Sequence, residues 1–294
     1  MPRNPNVAQG QSGLVSLTIE PLPRWVDAHS LLGIASLRQI PLADGRLRLC
    51  LELPSRAAAL LCARLRGLGI DGRCLEVSAE PPLSRPLIRT GRLQDARDRR
   101  DTTPGFDRPG GRATGPGRYS LTPQSLAMRL AQKIATGSVI DACCGSGGNA
   151  VAFARHGLQV TAIDTDPDRL AEAEHNARLY GVAHRITFLR ADAVDVLPRL
   201  AADGLFIDPP WGNGYDKKRT ELRDFPLLGR LLHLPSLARF TQVWVKLPAS
   251  FDTSTLQGGS PIAWFGNAPG DRHRIKFITL SFEPLRAGTF ASNA

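Results

Sequence analysis

Lysine, aromatic side chains and paired cysteines are all scarce in this chain, and each shortage closes off a class of protein. Only five of the 37 basic residues are lysine, and Phe, Trp and Tyr together make 6% of the 294 residues. The five cysteines are odd in number and none stands in a Cys-x-x-Cys pair, which argues against a disulfide framework and a zinc site. Cys50, Cys62 and Cys74 recur every twelve residues with no histidine near them. Free cysteine is among the most buried residue types, so they read as small core side chains. No run approaches the roughly 18 to 20 consecutive apolar residues that a membrane helix needs, and the Met1-Pro-Arg-Asn start lacks an apolar signal segment. The expectation is a soluble, cytoplasmic protein with reduced thiols and no metal.

Arginine is abundant instead, and it is clustered. The formal charge is +10, and residues 85–118 hold nine Arg against four Asp, a net +5. A polyanionic partner suits such a segment. A genome rich in G and C would raise arginine everywhere; the clustering favours RNA over that explanation. The 42% hydrophobic content suffices for two conventional cores.

Residues 1–13 have almost no apolar content and read as a disordered tail. From Leu14 the pattern gives a strand, a helical stretch over 25–37, strands at 38–42 and 46–53 about an Asp44-Gly45 turn, a helix from Ser55 to Gly67 or Gly69, and a strand at 73–79. The β-α-β-β-α-β order predicts a small α+β ferredoxin-like domain over 14–84, a plan shared by RNA-recognition modules. Its strands show no stacking aromatics, so an RNA role and a structural or dimerising one stand side by side. Residues 85–117, dense in Pro, Gly, Arg and Asp without apolar periodicity, read as a basic linker able to track phosphates. Over 118–285 strands alternate with helices, the first helix having Thr122 as N-cap and Pro123 at its first position. That alternation predicts a Rossmann-like α/β fold with a mostly parallel sheet covered on both faces. Residues 286–294 read as a tail.

The stretch Val139-Ile-Asp-Ala-Cys-Cys-Gly-Ser-Gly-Gly-Asn-Ala runs from strand through glycine loop to helix, the form of a nucleotide cradle. It lacks both Gly-x-Gly-x-x-Gly and Gly-Lys-Ser/Thr, so a phosphate-free nucleoside such as S-adenosylmethionine is the better ligand. In open α/β sheets ligands lie outside the carboxyl ends of the strands, where Asp141, Asp164, Asp192 and Asp208 stand at four successive ends. Asp164 suits ribose hydroxyls and Asp192 an adenine amine. Any one of these acids could be a helix cap; four in register favour a cofactor site. In Asp208-Pro-Pro-Trp-Gly, Pro209 and Pro210 fix the backbone so that the Asp208 carboxylate and the Pro209 carbonyl can accept from one planar NH2 group. Trp211 offers a face for stacking a base. Methyl transfer to a base amine by positioning and electrostatics follows.

Residues from about 118 to 283 resemble the trimethylguanosine synthase family of RNA cap guanine-N2 methyltransferases. The resemblance rests on Ser120-Leu-Thr-Pro, Asp141-Ala-Cys-Cys-Gly-Ser-Gly-Gly-Asn, Ala162-Ile-Asp-Thr-Asp-Pro, Asp208-Pro-Pro-Trp-Gly, Leu247-Pro248 and Lys276-Phe-Ile-Thr-Leu. It implies a class I methyltransferase domain that binds S-adenosylmethionine through Thr122, Asp141, Gly145, Gly147, Asn149, Asp164 and Asp192, with Cys143 in the same loop. It also implies that Trp211 stacks on guanine, and that basic residues after the motif, here Lys217, Lys218 and Arg219, meet phosphates unless they form a solvated loop. The family usually has Ser where this chain has Asp208, and Asp-Pro-Pro-Trp is also the form in adenine-N6 methyltransferases. Guanine N2 is the first expectation, adenine N6 the alternative. A non-catalytic RNA-binding protein that retains the fold is the rival from another class.

Overall fold

The computed structural model describes residues 13–115, 121–134, 136–212 and 214–283. Most of both expected tails, 1–12 and 286–294, lies outside the described residues, as do residues 118–120. In β1 (Leu14–Leu22) Val15, Leu17, Ile19 and Leu22 turn inward while their neighbours face out, which places the strand at the centre of a four-stranded antiparallel sheet. It pairs with β3 (Leu47–Pro54) on one side, and β2 (Arg38–Pro41) completes that edge. Gly45, at φ 81°, makes the turn between β2 and β3 where Asp-Gly predicted it. The expected helix over 25–37 shrinks to α1 (Ala28–Leu32), because Asp27 caps its start and Gly33 ends it at φ 71°. α2 (Ser55–Leu65) covers the same face. A two-residue hairpin follows, β4 (Gly69–Ile70) and β5 (Arg73–Cys74), and then β6 (Glu76–Glu80) pairs on the other side of β1. The strand order is β2-β3-β1-β6.

The linker reading of 85–117 needs correction. Residues Arg85–Asp98 form α3, packed along α2. No apolar stripe announced it because its buried positions are Gly91 and Asp95. Gly91 lets the helices touch: a Cβ there would stand 2.4 Å from the Ala59 carbonyl oxygen. The Asp95 carboxylate is held by Arg274, Arg99 and Arg64; burial pushes the carboxyl up, but Arg274 and then Arg99 bring it below the usual carboxylate range. Asp95→Ala takes from Arg274 its carboxylate partner and leaves Arg64 only Asp98, in a partly buried setting, and is expected to cost about 2–4 kcal/mol in urea denaturation. Leu93→Ala, at a position 54% exposed, is expected to shift stability by under about 0.5 kcal/mol.

After α3 the chain is a strap rather than a free linker. The Thr103 amide and hydroxyl donate to the buried Asp271 carboxylate at 2.9 and 2.7 Å. The amides of Asp107 and Arg108 donate to the Tyr180 hydroxyl, and the Arg112 amide to Asn176 Oδ1 at 2.8 Å.

The larger sheet contains β7 (Ser138–Asp141), β8 (Gln159–Asp164), β9 (Ile186–Arg190), β10 (Gly204–Ile207), β11 (Gln242–Leu247), β12 (Ser260–Phe265) and β13 (Ile275–Phe282). Their order is β12-β13-β11-β10-β7-β8-β9; neighbours from β9 through β11 are parallel, and β13 is antiparallel to both its partners. Helices α4 (Gln124–Lys133), α5 (Gly148–Arg155), α6 (Pro167–Leu179), α7 (Ala193–Val196) and α8 (Pro226–Leu232) connect and cover it. Two apolar clusters, one around Phe225 and Leu231 and one around Phe153 and Phe206, fill its faces. This is the mostly parallel Rossmann-like sheet that the alternation predicted. The chain winds outward from β7 through β8 to β9 and then returns to β10, so the crevice opens outside the carboxyl ends of β7 and β10.

The turn between β4 and β5 meets the loop after β11. Asp71, at φ 51°, accepts from the Thr253 amide and hydroxyl at 2.9 and 2.7 Å and pairs with Arg46.

Candidate active site

The loop after β7 is held from three sides. Cys144 donates its amide to Ile163 O of β8, and the Gly145 amide donates to Asp164 Oδ2 at 2.9 Å. Gly147, at φ 82°, opens α5, and a Cβ there would stand 2.8 Å from that of Ala173. Asn176, buried in α6, donates to Ser146 O at 2.8 Å and to Arg112 O at 2.7 Å, so it ties the loop to the strap.

Outside this loop lies a cavity of about 660 Å³. Of the residues expected from the sequence, Thr122, Cys143, Gly145, Asn149, Asp164, Asp192, Asp208, Pro209, Pro210 and Trp211 line it. Asp141 and Gly147 do not. Asp141 is fully buried at the end of β7, and Gly147 serves the packing against α6. Thr122 is not the N-cap of α4: Pro123 holds that place, and the Thr122 hydroxyl, on a residue 1% exposed, has no hydrogen-bond partner among the described residues. Asn149 Oδ1, Trp211 Nε1 and both Asp141 carboxylate oxygens are likewise buried without a partner at full hydrogen-bond geometry. Such groups are costly unless something polar meets them.

Burial pushes the Asp141 carboxyl up to about 8; the Asp208 charge adds to this, and the Cys143 amide offsets only part. Burial likewise raises the thiols of Cys143 and Cys144, with Asp141 contributing, so both stay protonated. Asp164 accepts one backbone amide on each oxygen, from Gly145 and Asp166. Asp192 does what a lone strand-end acid does, capping α7 through the Val194 amide, and it also meets Arg230 at 3.4 Å.

Asp208 is engaged more deeply than its motif suggested. Lys246, on β11 and 3% exposed at its side chain, sets Nζ 2.6 Å from Asp208 Oδ2. Asn149 Nδ2 donates to the same oxygen at 3.3 Å. Burial raises the Asp208 carboxyl, and Lys246, then Asn149, pull it back. The ammonium also lies 5.2 Å from the Trp211 ring centre and 5.3 Å from that of Phe277. Sequence reasoning passed over Lys246, although a signal was there: one of only five lysines, it sits in the otherwise apolar strand Val243-Trp-Val-Lys-Leu.

Tyr215 meets Trp211 edge-on at 5.5 Å. Lys217, Lys218 and Arg219 are exposed; neither lysine lines this cavity, and Arg219 is engaged by Glu221 and Asp252. Among the described residues there is no cluster suited to a metal ion and no helix long and apolar enough to cross a membrane.

The glycine loop, strand-end acids and Pro-Pro-Trp turn thus converge on one crevice of a mostly parallel sheet. Residues 136–246 match the RNA cap guanine-N2 methyltransferase family. The match falls on the segment from β7 through Lys246 and supports the trimethylguanosine synthase resemblance; the family is one of S-adenosylmethionine-dependent methyltransferases. Trimethylguanosine synthase of Schizosaccharomyces pombe is 36% identical over 104 residues, 32% of this chain and 43% of that protein. Ribosomal RNA small subunit methyltransferase J of Rhodopseudomonas palustris is 37% identical over 111 residues, 34% of this chain and 50% of that protein. The chain spans half or less of the length of these curated relatives. The crystal structure of TrmN from Thermus thermophilus aligns over 56% of this chain and 50% of that one, at 26% identity and a TM-score of 0.41.

Proposed function

We propose that this chain is an S-adenosylmethionine-dependent methyltransferase of an exocyclic base amine in RNA, guanine N2 first. The observation that carries the reading is the Asp208–Lys246 pair set beside Trp211 in the same cavity as the glycine loop. The cavity fits the cofactor: it joins acids, which suit the sulfonium and ammonium charges and the ribose diol, to the unpartnered polar atoms of Thr122 and Asn149, with Asp141 buried behind the loop. Thr122, Asp141, Cys143, Gly145, Asn149, Asp164 and Asp192 would line or hold it, with Gly147 shaping the loop. When bound, S-adenosylmethionine supplies an electrophilic methyl group on sulfur.

The chain's own residues supply position and charge. Lys246 and Asn149 both engage Asp208 Oδ2, which directs Oδ1, together with the Pro209 carbonyl, toward the amine hydrogens. Pro210 keeps that turn rigid, and Trp211 takes the base face. As the N–C bond forms and the S–C bond breaks, the amine loses one proton, which passes to Asp208 or solvent. RNA is the partner, met by the exposed arginines of α3 and by Lys217 and Lys218. The order β2-β3-β1-β6 supports reading 14–84 as a ferredoxin-like accessory unit preceding a methyltransferase unit over 118–285. Asp in place of Ser before Pro-Pro-Trp favours adenine N6 as the second reading.

Transfer of tritiated methyl groups to total RNA tests the proposal, and nucleoside mass spectrometry separates N2-methylguanosine from N6-methyladenosine. Trp211→Ala and Asp208→Asn are expected to lower kcat/KM by roughly 100-fold or more while S-adenosylhomocysteine binding stays within about threefold. Wild-type protein that binds the cofactor yet labels no RNA would remove the catalytic reading and leave the RNA-binding one.

A further inference from the structure

The hairpin of β4 and β5 is rooted beside the four-stranded sheet and ends in the loop after β11. At its root Ile70 is fully buried in the apolar cluster of Val15, Leu17 and Leu49. At its tip Asp71 and Gly72 both take positive φ, and their amides donate to Ala249 O at 3.0 Å and to Ser250 O at 3.3 Å. The buried Asp71 carboxylate adds its bonds from Thr253, while Arg46 donates to the Asp71 carbonyl and Oδ2 from the other side.

The loop after β11 also grips the segment that follows the Pro-Pro-Trp turn. Ser250 O accepts from the Thr220 amide at 3.0 Å as well as from Gly72, so one carbonyl joins hairpin and segment. Ser250 Oγ donates to Asp216 O at 2.9 Å, and the Asp252 amide donates to Thr220 O at 2.8 Å. The hairpin touches the segment directly too: a Cβ on Gly69 would stand 2.2 Å from Lys218 O and 2.5 Å from Lys217 O, a clash with backbone. Gly69, a candidate helix end in the sequence, is instead a point of close approach. Asp216 to Arg219 are exposed, and just before them Tyr215 meets Trp211 edge-on. A stretch with so little burial of its own takes its position from what holds its ends.

We propose that the β4–β5 hairpin is a positioning device for methyl transfer: Asp71 and Gly69 fix the segment of 214–221, and through it the Tyr215–Trp211 wall that receives the base. The use of that wall rests on the methyltransferase reading; the hold on the segment does not. Neither residue lines the 660 Å³ cavity, so both act through the segment alone.

A lysine-specific endoprotease reads the hold without an activity assay. Of the five lysines, Lys133 closes α4 and Lys246 and Lys276 lie in strands, so Lys217 and Lys218 are the two in a loop. The full chain is digested while saturated with S-adenosylhomocysteine. Gly69→Ala, which wedges the segment away, and Asp71→Gly, which suits the turn's φ but drops the tie, are each expected to speed cleavage after Lys217 and Lys218 by at least about tenfold. Methyl transfer to total RNA at saturating S-adenosylmethionine is expected to fall about tenfold in both, with KM for S-adenosylmethionine within about threefold of wild type. Asp71→Asn, whose Oδ1 still accepts from Thr253, is expected to stay within about threefold of wild type in every readout. Unchanged cleavage in either variant, faster cleavage with transfer intact, or a KM for S-adenosylmethionine that rises in step with the lost transfer overturns the proposal, the last because it makes the hairpin a prop of the whole fold. Wild-type protein that transfers no methyl group sinks the methyltransferase reading and with it the positioning role, while the cleavage rates still decide whether the hairpin holds the segment.

Discussion

Asp141→Asn is expected to make the protein more stable at neutral pH while costing it the cofactor. The carboxyl is fully buried, and burial with the Asp208 charge raises it from the ordinary 3.8 to about 8. The folded state therefore holds a proton that the unfolded chain has released anywhere between those values. Stability from this group is fully present below pH 4 and falls as pH rises, by roughly 1.4 kcal/mol per unit, levelling off above pH 8. An amide carries no such slope. The variant should match the wild type near pH 4 and exceed it by about 2–4 kcal/mol at pH 7, once some relaxation around the charge is allowed for. Paired urea denaturation series at pH 4, 5.5, 7 and 8.5 cancel every other titrating group in the difference; parallel series would show that the carboxyl is hydrated. Binding should move the other way, because a cation beside an ionised Asp141 recovers what burial cost and the amide has no charge to offer. Calorimetry should show S-adenosylmethionine affinity reduced at least roughly tenfold in the variant.

Lys246→Met should be among the most destabilising single substitutions in the larger sheet. It leaves Asp208 buried and its negative charge without the 2.6 Å partner. Breaking one side of a buried ion pair costs about 3–5 kcal/mol, much of it the stranded charge. The carboxyl is then expected to take up a proton, and the loss should be smaller at pH 5 than at pH 8. The double variant Lys246→Met/Asp208→Asn removes the stranded charge and should recover most of the stability without recovering methyl transfer. A single-variant loss below about 1 kcal/mol in chemical denaturation would mean that water reaches the pair.

The candidate site was legible where its chemistry is local. Gly145 and Gly147 at positive φ, the acids closing β7, β8 and the strand-to-loop turn at Asp208, and the Pro-Pro-Trp turn all follow from residues adjacent in the chain. α3 was illegible for a physical reason: its contact face is made by a glycine and an ion-paired Asp95 rather than by apolar side chains. Thr122 looked like a helix cap because Thr-Pro is a local signal, yet packing gave the cap position to Pro123 and turned the hydroxyl inward.

Alternation of strand and helix patterns, the glycine chemistry of the loop and the strand-end positions of the acids belong to the amino-acid order alone, since each depends on residues within a turn or two of one another. The partnership of Asp208 with Lys246, 38 residues on, and of Thr103 with Asp271, 168 residues on, came only with the tertiary structure. So did the setting of two adjoining cavities that share Trp211, one lined by Asp164, Asp192 and Asp208 together with Arg169 and Arg230, the other by Arg108, Lys246 and Lys276. Such contacts depend on which strands the sheet sets side by side and on where the strap closes, and no short-range pattern encodes either.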